Sequence, residues 1–192
     1  MEKHLYGDED LHQIIKGCLK KDRNSQKMLY KAMHGYAISI CLRYSASRHE
    51  AVELLNSGFF KALNNINGYD NSEPFKTWLG RIMINTAIEQ YRANLKVAYA
   101  DDPGAREYLA TGAQSMAKLN HDELLLIIQG LPMVCRTVFN LFAIDDYNHH
   151  EIAAMLSINI AASKLNLNKA RQKIQQKVAE QEKLKIDKQL YK

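Results

Sequence analysis

The chain has 192 residues, 46% of them apolar, and a formal net charge of +5. That is enough apolar material for one ordinary domain or two small ones, which excludes an intrinsically disordered protein. No run of about 18 apolar residues occurs, and Met1 leads into no signal-peptide core, so a cytoplasmic protein without membrane insertion is expected. Cys18, Cys41 and Cys135 are far apart and form no CxxC, and they are expected as buried thiols in a reducing compartment.

The charge is unevenly distributed. Residues 1–96 carry 14 Lys and Arg against 10 Asp and Glu, and residues 97–120 carry 2 against 3. Residues 121–158 carry 1 against 5, whereas residues 159–192 carry 9 against 3. An acidic helical segment followed by a basic one gives a polarised surface, whose basic end suits a polyanion.

Three helices are predicted ahead of a long central one. Asp8 or Asp10 can cap the first, whose apolar set is Leu11, Ile14, Ile15 and Cys18. The second starts near Ser25 and carries Met28, Leu29, Ala32, Tyr36 and Ile40. The third opens with Ser47-Arg48-His49-Glu50, a capping box, and its apolar residues run from Ala51 through Leu54, Leu55, Phe59, Ala62 and Leu63 to Ile66. The polar segment Asn67–Glu73 reads either as a plain connector or as a pocket rim able to hold an unstacked base.

The central helix opens at Pro74, where a missing N–H does no harm. At 100° per residue Phe75, Leu79, Ile82 and Thr86 share one narrow sector that should be buried. Arg81, Asn85 and Arg92 share an adjoining sector, with Trp78 between the two. Guanidinium for phosphate, amide for a base edge and ring for stacking suit a nucleic-acid contact. The alternative is a core tryptophan beside an ordinary solvated face.

From Val97 to about Leu119 periodicity fades around Asp101-Asp102-Pro103-Gly104, which predicts a mobile linker. A second capping box, Asn120-His121-Asp122-Glu123, starts a helix that Gly130 closes, and Pro132 opens the next with Val134, Val138, Leu141 and Phe142. A third box, Asn148-His149-His150-Glu151, precedes Ile152–Leu156, the turn Ser157-Ile158-Asn159, and a long helix from Ile160. Short helix, three-residue turn and second helix make a helix-turn-helix pattern, with Ala153 at the crossing and Asn159 as cap. The second helix offers Lys164, Asn166, Asn168, Lys169, Arg171 and Lys173 as donors, unless it is only a solubilising basic tail.

The fold class expected is therefore all-α, in two small domains. A four-helix bundle over 1–96 and a helix-turn-helix domain over 120–192 are joined by a flexible linker over 97–119. No catalytic chemistry is expected. There is no Gly-rich phosphate loop and no arguable Cys–His pair, and His149-His150-Glu151 lacks the second spaced histidine of a metal-binding HExxH, so no metal or cofactor is implied. His149 and His150 read as surface residues at a helix start.

The stretch from Phe75 to Arg92, with Trp78, Arg81, Asn85 and Glu89, resembles the second conserved region of extracytoplasmic-function sigma factors in the sigma-70 family. Leu131-Pro132, Arg136–Leu141, Glu151-Ile152-Ala153 and Lys169-Ala170-Arg171 resemble their fourth region, in the expected order and separation. The pattern looks like the group common in Bacteroidetes. The resemblance implies an initiation subunit that binds the clamp and flap regions of core RNA polymerase and directs it to promoter DNA, with an anti-sigma factor as a further partner. By that likeness Tyr69, Asp70 and Asn71 in the loop, with Trp78, Arg81, Asn85 and Arg92, would face the melted −10 strand. Ser163, Lys164, Asn166, Asn168, Lys169 and Arg171 would meet the −35 duplex, and Leu54, Leu55, Asn56 and Phe59 would dock on polymerase.

Four positions depart from the family pattern. Primary sigma factors place paired aromatics where this chain has Arg81 and Ile82, which implies weak intrinsic melting. An acidic residue usually stands where this chain has Asn56-Ser57. The turn glycine is Ser157, and the usual Glu-Gly-Thr start of the recognition helix is Ile160-Ala161-Ala162. The rival readings are a helix-turn-helix regulator that binds DNA without recruiting polymerase, and a sigma-like interaction protein without DNA function.

Overall fold

The computed structural model describes residues 8–101 and 121–190. Its elements are α1 (Asp8–Leu19), α2 (Arg23–Tyr44), α3 (Arg48–Asn64), a 3-10 turn (Ile66–Gly68), α4 (Phe75–Asp101), α5 (His121–Gln129), α6 (Met133–Ala143), α7 (His149–Leu156) and α8 (Ile160–Leu190). Among the described residues there is no strand, and no helix is long and apolar enough to cross a membrane. The chain divides into two compact units, Met1–Ala87 and Ile88–Lys192.

In the first unit, α1 buries Ile14, Ile15 and Cys18 as their spacing predicts. Asp8 and Asp10 both lie inside this helix rather than capping it. The start of α2 is set by Asp22, whose Oδ2 accepts from the Ser25 amide at 2.8 Å and from its hydroxyl at 2.7 Å. Ser25, the expected start, is thus the donor that satisfies the cap, and its hydrogen bonds hold the Asp22 carboxyl below the usual carboxylate range. The inward face of α2 is Leu29, Met33, Ala37, Ile40, Cys41 and Tyr44, while Met28 is exposed. Ser47 Oγ caps α3 by accepting from the Glu50 amide at 3.2 Å. Glu50 Oε2 reaches the Ala46 amide at 2.8 Å, one residue ahead of the reciprocal bond a capping box makes.

Helix α4 begins where the Pro74 carbonyl accepts from the amides of Thr77 and Trp78, at 2.9 and 3.3 Å. Its buried sector includes Phe75, Leu79 and Thr86 but swings toward Met83, Ala87 and Tyr91, which leaves Ile82 half-buried at the margin. Two glycines admit this packing. A Cβ on Gly58 of α3 would lie 2.3 Å from Met83 Sδ, and one on Gly80 would lie 2.5 Å from the Tyr36 hydroxyl of α2. The helix runs on to Asp101, past the break expected at Val97. The rest of the expected linker and Asn120 lie outside the described residues.

The second unit holds Ile127, Leu131, Cys135, Ala170, Ile174 and Val178 in one core cluster, with Leu124, Val134 and Phe139 packed on it. Pro132 stands at the start of α6, as expected. The box at α7 is complete: Asn148 Oδ1 accepts from the amides of His150 and Glu151 at 2.9 and 3.0 Å, and Glu151 Oε2 accepts from the Asn148 amide at 2.8 Å. Ser157 ends α7 in the left-handed conformation, φ 56° and ψ 41°. Asn159 Oδ1 then accepts from the Ala162 amide at 2.7 Å and starts α8. Ile152, Ala153 and Leu156 of α7, with Leu167 of α8, close the core of the helix-turn-helix. All three cysteines are buried thiols, and burial pushes Cys18 up to about 11 and Cys41 up to about 12.

Candidate nucleic-acid interface

The loop before α4 is folded on itself. The Tyr69 hydroxyl donates to the Glu73 carbonyl at 2.9 Å, and Asp70 Oδ1 accepts from the Ser72 amide at 2.9 Å. Those bonds from Ser72 lower the Asp70 carboxyl, so it is ionised at neutral pH. Asn71 turns the chain at φ 60°, a value asparagine tolerates better than most side chains. The half-buried Tyr69 ring meets Phe75 edge-on at 5.1 Å and Trp78 at 5.5 Å, and Phe75 lies 5.3 Å from Trp78. Trp78 is thus neither pure core nor free surface. It is half-buried and belongs to a three-ring cluster under the loop.

On α4 the exposed side chains of Arg81 and Asn85 stand on the sector next to Trp78, and Arg81 is ion-paired with Glu73. Arg92, which the sequence groups with them, lies in the second unit. There its Nε donates to the Met155 carbonyl at 2.8 Å and a terminal nitrogen donates to the Ala154 carbonyl at 3.3 Å.

The six residues expected to meet duplex DNA do not form one surface. Ser163 is fully buried, with its Oγ 2.9 Å from His149 Nδ1. Asn166 is half-buried and turned inward: its Nδ2 donates to the Ala162 carbonyl at 2.9 Å, and its Oδ1 accepts from Cys135 Sγ at 3.7 Å. Lys164, Asn168 and Arg171 are exposed at i, i+4 and i+7, which makes a single stripe. Lys169 lies about 140° round the helix from Lys164. It and Lys173 lie on the Cys135 side, where their charges partly offset the rise that burial causes in that thiol. A serine in register with Leu167, Ala170 and Ile174 is the sequence signal that Ser163 belongs inside.

Both histidines at the start of α7 are expected at the surface; His150 is exposed, but His149 is no simple surface residue. It is half-buried and stacked on Phe142 with 4.6 Å between ring centroids and 23° between planes. On α3, Leu54, Leu55 and Phe59 are core residues and leave only Asn56 exposed of the four expected at polymerase. The outward side chains there include Val52 and Phe60, the latter 68% exposed. Phe60 lies about 100° round the helix from the buried Phe59, on the outward face that also carries Val52 and Asn56.

A helical unit with an arginine–amide face beside an aromatic loop, followed by a capped helix-turn-helix, defines a DNA-binding protein of two all-α parts. A family model described as Sigma-70 region 2 matches residues 29–96, and one described as Sigma-70, region 4 matches residues 121–174. The ECF RNA polymerase sigma factor SigW of Bacillus subtilis is 26% identical over 176 residues, covering 85% of this chain and 94% of its own length. The ECF RNA polymerase sigma-E factor of Escherichia coli K12 is 23% identical over 182 residues, with 86% and 92% covered. Among solved structures, the sigma factor RpoE from Bartonella quintana, in complex with the anti-sigma factor NepR, shares 18% identity at a TM-score of 0.48 and covers 80% of this chain and 96% of that one. The chain belongs to the sigma-70 family, in its extracytoplasmic-function group, whose members direct RNA polymerase to promoters.

Proposed function

We propose that this sigma factor divides promoter reading between its two units, in the cytoplasm and on core polymerase. The first reads the −10 element as separated strand, with Tyr69, Asp70 and Asn71 at the loop, Trp78 beside them, and Arg81 and Asn85 along α4. The second reads the −35 element as duplex, through Lys164, Asn168 and Arg171 on one stripe of α8. Phosphodiester chemistry belongs to the polymerase, so the chain itself needs no catalytic group. The observation that carries this reading is the exposed Arg81–Asn85 pair beside the Tyr69–Phe75–Trp78 rings. Unstacked bases need a flat partner, and the strand that bears them needs a cation.

The polymerase contact falls on the outward face of α3. Val52, Asn56 and Phe60 recur there every four residues, with Leu54, Leu55 and Phe59 as the packed backing. An exposed phenylalanine is the kind of anchor that fills a pocket on a partner. An anti-sigma factor is a further partner in this reading, as a competitor for polymerase.

The test is reconstitution with core polymerase from the native host, followed by run-off transcription on genomic fragments. Initiation from discrete start sites that requires this chain supports the reading, and core enzyme that ignores it overturns the reading. Phe60→Ala should weaken holoenzyme assembly while leaving helicity unchanged.

A further inference from the structure

His149 occupies the seam of the helix-turn-helix. Its Nδ1 is 2.9 Å from Ser163 Oγ, which ties the first residue of α7 to the first turn of α8. Its ring stacks on Phe142 of α6, and the same Phe142 ring lies 5.7 Å from the Arg171 guanidinium. The same aromatic ring therefore contacts the imidazole and lies within cation–π reach of an arginine of the exposed stripe, which brings the two side chains close together. A buried serine beside a ring nitrogen fixes the imidazole's orientation as well, so the second nitrogen, Nε2, is the one left to meet a ligand.

We propose that His149 is a third cation of the duplex-binding face, taking up a proton when DNA arrives so that its imidazolium joins Lys164 and Arg171 at the phosphate backbone. This rests on the duplex reading of α8. Without DNA, burial disfavours the charged ring, and Lys164 and Arg171 from α8 and His150 from α7 repel a further positive charge; α6 meets it with the uncharged Phe142. His149 is therefore neutral at pH 7 in the free chain. Phosphates brought against Lys164 and Arg171 reverse the sign of that field, and protonation becomes favourable. Binding coupled to proton uptake strengthens as pH falls through the complex's raised value and levels off below the free chain's lowered one. The result would be a promoter contact whose strength follows cytoplasmic pH through one side chain.

Phosphate contacts do not depend on sequence, so the full chain and a mixed-sequence duplex suffice for the test. Affinity is measured by fluorescence anisotropy from pH 8 down to pH 5.5 for the native chain, His149→Gln and His150→Gln. Glutamine can keep a hydrogen bond to Ser163 but cannot titrate. The native chain and His150→Gln should gain affinity by about threefold to tenfold per pH unit within the linked window, and His149→Gln should lose most of that gain. Calorimetry of the native chain in two buffers of different ionisation enthalpy should show close to one proton taken up on binding. No uptake, or a native pH slope in His149→Gln, overturns the proposal. Lys164→Ala and Arg171→Ala on the same duplex separate the two failures: if they weaken binding, only the proton coupling has failed, and if they change nothing, the duplex face itself has been misplaced.

Discussion

Arg81, on the exposed face of α4, is ion-paired with Glu73 in the loop that precedes that helix. The carboxylate occupies the cation proposed to meet the displaced strand, so strand capture must exchange Glu73 for a phosphate. The arginine is more than half exposed, and surface pairs of this kind contribute at most about 1 kcal/mol, which makes the exchange inexpensive. Glu73→Gln should therefore raise holoenzyme affinity for a forked −10 probe by up to about fivefold, and Arg81→Ala should lower it. Binding of the two variants to forked probes and to fully paired DNA checks this. An affinity loss in Glu73→Gln would instead make Glu73 the residue that aims Arg81.

The three rings of Tyr69, Phe75 and Trp78 separate structure from recognition by depth. Phe75 is core, whereas Trp78 is half-buried. Phe75→Ala should destabilise the first unit by about 3–5 kcal/mol, as core aromatic truncations do. Trp78→Ala should leave the unit folded yet lower open-complex formation more than duplex binding, because stacking on a displaced base is lost. Chemical denaturation and permanganate footprinting on the same variants distinguish the two effects.

The helices, and the caps of α3, α7 and α8, were legible because they are local, whereas the caps expected at Asp8 or Asp10 and near Ser25 did not form there. Asn148, Glu151 and Asn159 cap as the spacing requires, and Ser47 does so with its partner shifted by one residue. Ser157, where the family has glycine, does adopt the left-handed conformation such a turn needs. What periodicity could not reveal depends on which face a neighbouring helix covers. Leu54, Leu55 and Phe59 sit in the core because α2 packs there, and Ser163 and Asn166 turn inward because α6 and α7 supply their partners. The loop closure by Tyr69 and Glu73, and the close approach at Gly80, join residues whose pairing no helical repeat encodes.

Ser157 carries a measurable cost. A non-glycine residue in the left-handed region costs roughly 1–2 kcal/mol, and glycine gives back roughly 0.5–1 kcal/mol of this through the larger entropy of its unfolded chain. Ser157→Gly should therefore stabilise the second unit by about 0.5 kcal/mol, which raises the melting temperature of a unit this size by about 2–4 °C. Duplex affinity should not change. Thermal unfolding followed by circular dichroism checks the shift, and a lowered melting temperature would mean that the serine hydroxyl makes a contact worth more than the strain.

Lys164, Arg171, Lys169 and Lys173 divide between two flanks of α8, and only one flank can enter a groove with the start of α7 beside it. Lys164 and Arg171 share the flank of His149 and Phe142, whereas Lys169 and Lys173 lie toward Cys135. In a helix-turn-helix the second helix enters the major groove while the first crosses the backbone, which places the phosphates on the α7 flank. The double variant Lys164→Ala/Arg171→Ala should therefore lose about two from the slope of log affinity against log salt, roughly one per phosphate contact. Lys169→Ala/Lys173→Ala should keep most of the native slope. Salt titrations of both variants on one duplex measure this directly. The reverse outcome would turn α8 over in the groove, and with it the assignment of every base-facing side chain on that helix.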